Sequence, residues 1–171
     1  MRGVAFIASY CHSGLRQARL ACFPGAPWQR CQFHLQQNAQ AFVPKVDMRA
    51  EVAQAIRLIF DSPNLAKAQE RLQEVVKQFE IKAPKLADWI QNNVPEGLSI
   101  FSLPSAHQRR LRTSNSAERL NQELKRRTRV VRVFPNEASL LRLVTALLME
   151  KSNQWESDII YLKMELENLK P

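Results

Sequence analysis

Two groups of residues in this sequence have types and spacing that suit site chemistry. Cys31 and His34 form a Cys-x-x-His pair, a thiol and an imidazole three positions apart. Both bind zinc when deprotonated, but a structural zinc site is normally closed by four ligands, and only Cys11, His12, Cys22 and His107 remain to complete one. On a strand, residues three apart point to opposite faces, whereas a turn or a helix start lets them converge. The plain alternative is a buried cysteine beside a hydrogen-bonded histidine. Glu118 also has two readings. With Asn115 it forms a capping box, and its charge meets the helix dipole favourably. As an acidic group among basic ones it could instead hold a divalent cation near phosphates. A two-metal phosphoryl-transfer centre needs further carboxylates, and the end of the first strand, where one belongs, carries Tyr10 and Cys11.

The basic side chains are concentrated. Between Ser105 and Arg132 nine Lys and Arg face only Glu118 and Glu123, a net charge of +7 out of +9 for the whole chain. Such a cluster neutralises phosphates and releases counterions, which gives salt-dependent and largely sequence-independent affinity for nucleic acid. A solvated helix face complementing a helix carboxyl end is the competing reading. The candidates for DNA contact are Arg109, Arg110, Arg112, Arg119, Asn121, Lys125, Arg126, Arg127 and Arg129. Arg132 closes the cluster.

These side chains need elements to position them. The chain has 171 residues, 45% of them hydrophobic and only 4 of them glycine, which describes a globular and largely helical protein. Val4 to Ser9 reads as a short buried strand. Ser13 is placed to cap a helix from Gly14 to about Cys22, with Leu15, Ala18 and Cys22 on one side. Phe23 to Pro27 is a turn, and Trp28 to Phe33 a second strand. Two strands do not make a stable sheet, so the fold reads as cut open at its amino end.

From Asp47 onward the period is helical. Val52, Ala55, Ile56, Ile59 and Phe60 form one stripe; Leu65, Ala68, Leu72, Val75, Val76 and Phe79 form another; a third helix runs from about Pro84 to Asn93. Residues 96–112 read as irregular. A helix from Asn115 to about Arg127 follows, with Ala117, Leu120 and Leu124 inward. The last helical region spans about Glu137 to Leu169, with a stripe through Leu140, Leu143, Val144, Leu147 and Leu148, then Trp155, Ile159 and Leu162. Three cysteines in a short span do not form a disulfide framework and suit a reducing, cytoplasmic setting. No apolar run reaches the length of a membrane span, so no membrane partner is expected.

Ser9-Tyr10-Cys11-His12-Ser13-Gly14-Leu15, then Phe23-Pro24-Gly25-Ala26-Pro27-Trp28-Gln29-Arg30-Cys31-Gln32-Phe33-His34, resembles the Mutator-type bacterial insertion-sequence transposase family. So does Thr113 through Val131, and the likeness continues through Phe134-Pro135-Asn136-Glu137 and Leu140-Leu141-Arg142-Leu143 to Trp155 and Tyr161. The resemblance implies a mainly α chain with a small α/β part: the carboxy-terminal portion of a ribonuclease H-like fold interrupted by a helical insertion. Residues 1–39 would be the strand-helix-strand unit, 40–110 the insertion, and 111–171 the carboxy-terminal helices of the catalytic domain.

It further implies DNA as partner, and strand cleavage and joining with magnesium held by three carboxylates. Glu118 matches the third. The first is expected upstream of residue 1, and Tyr10 stands where the second should be. A phenol, with an ordinary pKa of about 10, does not replace a bridging carboxylate at neutral pH. The expectation is therefore a truncated transposase product, inactive alone. Cys31 and His34 match the family's Cys-x-x-His signature, with zinc a candidate ion. Two other readings stay open: a non-enzymatic DNA-binding or dominant-negative module that associates with an intact transposase or with itself, and a helical interaction protein whose basic face only solubilises it.

Overall fold

The computed structural model describes residues 4–157. The chain divides into two compact units, Met1–Ser114 and Asn115–Pro171. The first unit opens with β1 (Ile7–Ser9), α1 (Ser13–Cys22) and β2 (Trp28–Arg30). The two strands pair in parallel, with Ile7 opposite Trp28 and Ser9 opposite Arg30. Parallel neighbours need a crossover connection, and α1 supplies it. Ser13 is not the cap of α1. His12 takes that position, its Nδ1 accepting from the Gly14 N–H at 3.2 Å, because the helix already includes Ser13. Leu15, Ala18 and Cys22 all stay exposed, since a sheet of two three-residue strands offers little surface to cover.

The second strand is shorter than its residue pattern suggests. Backbone pairing stops at Arg30, and Gln32–Ala39 forms a helix, α2. Leu35 and Ala39, four residues apart, are fully buried from it, and that helical spacing outweighs the strand-like run through Phe33. A 3₁₀ turn (Gln40–Phe42) leads to the helical body: α3 (Met48–Phe60), α4 (Leu65–Glu80) and α5 (Pro84–Asn93).

All five expected apolar positions of α3 are buried, as are Ala68, Leu72, Val75 and Phe79 of α4 and Leu86, Ala87 and Ile90 of α5. Each large side chain buried this way contributes roughly 1.5–3 kcal/mol before entropy is counted. The boundaries have local causes. The Asn64 side chain caps α4 by accepting from the Lys67 N–H at 2.9 Å, and Pro84 begins α5, where its missing N–H costs nothing.

Residues 96–112 are more ordered than the sequence suggests. Two 3₁₀ turns (Val94–Gly97 and Ser99–Ser102) are followed by α6 (Ser105–Leu111). A Cβ on Gly97 would lie 2.7 Å from Leu35 Cδ1 and 2.9 Å from Phe60 Cε1. Glycine is thus what lets this turn settle on the core.

Among its described residues, the second unit has two helices, α7 (Asn115–Val131) and α8 (Glu137–Ser157). The helix α7 runs four residues past Arg127. Thr128 stays within it, its hydroxyl donating to the Leu124 carbonyl at 2.9 Å, and Arg132 at φ 60° ends it in the left-handed region. Leu120 and Leu124 are half-buried, but Ala117 is exposed. On α8, Leu140, Leu143, Val144 and Leu147 are half-buried, while Leu148 and Trp155 are exposed. Ile159, Tyr161 and Leu162 lie outside the described residues. No described helix is long and apolar enough to cross a membrane.

Candidate nucleic-acid interface and strand-end cluster

The carboxyl ends of β1 and β2 gather the first set of residues. Parallel strands place their ends side by side, the usual location for ligand chemistry in such units. Tyr10 follows β1 and is exposed; its ring centroid lies 5.8 Å from that of His34. Cys31 follows β2 at the start of α2, and His34 sits in that helix's first turn. The helix start does what a strand could not: Cys31 Sγ and a His34 ring nitrogen come within 4.8 Å of each other.

Cys31 is fully buried, and its sulfur accepts the Ser114 N–H at 3.4 Å. Next to it, the Gln32 N–H donates to the Arg112 carbonyl at 3.0 Å. Cys31 therefore also anchors the segment that leads to α7. Among the described residues of the first unit, none of Cys11, His12, Cys22 and His107 joins the pair as a third ligand. His12 caps α1, Cys11 and Cys22 are exposed, and His107 is buried in α6.

Between these residues and the helical body runs a buried polar clamp that sequence reasoning missed. Gln29 Nε2 donates to the Gly97 carbonyl at 2.7 Å, and Gln29 Oε1 accepts from the Ile100 N–H at 2.8 Å. Gln32 Nε2 also donates to the Gly97 carbonyl, at 2.9 Å. Arg30 Nη1 donates to Asn93 Oδ1 and to Glu96 Oε2, at 3.0 and 2.9 Å. A signal for it exists in the sequence: two glutamines within or beside a strand require partners for their amides once the strand is buried.

The basic residues fall on α6 and α7. Arg109 and Arg110 are exposed on α6. Arg112 pairs with Asp61 at 2.7 Å and is partly neutralised. On α7, Glu118 lies in the first turn, where a carboxylate meets the helix dipole favourably. Arg119, Asn121, Lys125 and Arg129 are exposed. Arg126 and Arg127 both hold Glu123, at 2.8 and 2.9 Å. Hydrogen bonds from Arg126 and then Arg127 lower the Glu123 carboxyl to about 2, and the same bond raises Arg126. One carboxylate thus occupies two of the cations, leaving Arg119, Lys125 and Arg129 to act on solvent or a ligand.

A family model described as "Transposase, Mutator family" matches residues 1–158. The chain is 46% identical over 162 residues to the transposase for insertion sequence element IS406 of Burkholderia multivorans, covering 95% of this chain and 42% of that protein. It is 35% identical over 165 residues to the transposase for ISRM5 of Rhizobium meliloti, covering 96% and 41%. With the transposase for IS1081 of Mycobacterium tuberculosis it shares 34% over 166 residues, covering 97% and 40%. The chain spans about two fifths of the length of the curated relatives it matches.

Proposed function

The chain belongs to the Mutator family of transposases, and from that premise we propose that it binds DNA through its basic helices without cutting or joining strands by itself. The observation that carries the binding half is the exposed cation set Arg119, Lys125 and Arg129 on α7, whose charges suit phosphate contact. The observation behind the second half is Tyr10 at the end of β1.

Family chemistry is phosphoryl transfer with divalent ions held by carboxylates. The donors at the strand ends of the first unit are a phenol, a thiol and an imidazole. They do not fit magnesium, which takes oxygen ligands and in such centres carboxylates. Their nitrogen and sulfur character suits zinc, yet two ligands fall short of the four of a structural site. Glu118 is the carboxylate that carries over from the family pattern. We read the parallel strand-helix-strand unit together with α7 and α8 as portions of a ribonuclease H-like fold, with residues 40–110 as its helical insertion. The parallel pairing of β1 and β2 supports that reading.

A strand-cleavage assay on duplex DNA, with magnesium and then manganese, tests the inactivity. The unaltered chain should leave the substrate intact with either ion, and any cleavage should require the Tyr10→Asp change. Metal-dependent cleavage by the unaltered chain would overturn the proposal.

A further inference from the structure

Where α7 ends and α8 begins, an open cleft of about 500 Å³ is lined by Thr128, Arg129, Arg132, Phe134 and Leu140. That is within the ~300–1,000 Å³ range of small-ligand sites. The Thr128 hydroxyl donates back to the helix carbonyls of Leu124 and Lys125, so the ligand-seeking groups are the two guanidiniums. The remaining lining residues, Phe134 and Leu140, are apolar.

Arg126 and Arg127 are held by Glu123, whereas Arg129 and Arg132 have no carboxylate partner among the described residues. Arg132 adds an independent sign. Its φ of 60° is the conformation that glycine ordinarily supplies just past a helix. An arginine stands there although glycine would relax the backbone, and it lines the cleft.

We infer that this cleft binds one unpaired nucleotide of a DNA strand, the guanidiniums of Arg129 and Arg132 taking its phosphate and Phe134 stacking on its base. Guanidiniums match phosphate oxygens by paired hydrogen bonds. Aromatic rings stack on any base whose face is free. Within a duplex both faces of a base are covered by its neighbours, so an unpaired base is the one that can enter. The inference rests on the DNA-binding reading above and deepens it.

The test uses the whole chain and three labelled DNAs: a blunt duplex, the same duplex with a short single-stranded tail, and one whose tail is abasic. The chain should bind the base-bearing tail about 5- to 150-fold more tightly than the abasic tail, the span expected for one stacked base. Phe134→Leu should bring that ratio to about one, and Phe134→Tyr should keep it. Replacing Arg129 and Arg132 by Gln should weaken both tailed DNAs together. Equal binding of the two tails by the unaltered chain, or a ratio retained in Phe134→Leu, overturns the cleft while duplex binding still stands. If none of the three DNAs binds even at low salt, the DNA-binding reading fails, and this inference with it.

Discussion

Glu123 shows how one side chain tunes a basic helix. It sits three and four residues before two arginines, spacings that bring side chains together on a helix surface, and both guanidiniums reach it. Its carboxyl is lowered from 4.5 to about 2 by those two hydrogen bonds. A lowered folded-state value means that the pair's contribution is complete above the ordinary value and is lost as pH falls through about 2. The contribution is small because the group is open to solvent. A carboxyl titration followed by nuclear magnetic resonance should therefore place the Glu123 midpoint near 2, moving back toward ordinary glutamate in a variant with Arg126 and Arg127 changed to Gln. A midpoint in the ordinary range for the unaltered chain would mean that Arg126 and Arg127 are not held in solution.

Among elements, the two 3₁₀ turns between α5 and α6 depend most on distant partners. Gln29→Ala removes the acceptor for the buried Ile100 N–H and one of two donors to the Gly97 carbonyl. One buried group left unpaired costs roughly 1–3 kcal/mol. Hydrogen exchange of residues 97–103 should quicken in this variant while α3 and α4 keep their protection; unchanged exchange there would show the clamp to be incidental.

The same elements show what the sequence could reveal. The helices α3 to α5 are legible because stripes such as Val52, Ala55, Ile56, Ile59 and Phe60 repeat locally and Pro84 and Asn64 mark their starts. The start of α2 reads as strand, since a run such as Trp28 to Phe33 serves either period and only the packing of Leu35 and Ala39 decides. The turns at 94–102 are unreadable because what stabilises them, Gln29 and Gln32, lies far back in the chain. The Cys31 and His34 pairing is conditional on a helix start, and the helix is there. The cleft around Phe134 needs the full length of α7, which the sequence underestimates.

At the scale of the whole molecule, the first unit supplies a buried apolar core and the strand ends, while the described helices of the second, α7 and α8, bury no residue fully and carry much of the positive charge. That division suits a chain whose second unit meets a polyanion. The central claim is phosphate contact by α7, and a salt titration of duplex DNA binding tests it most directly. The logarithm of affinity should fall linearly with the logarithm of salt concentration. Changing Arg119, Lys125 and Arg129 to Gln together should make the slope shallower by about 1 for each phosphate that is no longer neutralised, with helical content unchanged by circular dichroism. Absence of binding at low salt, or a slope that the triple change leaves untouched, would contradict the account.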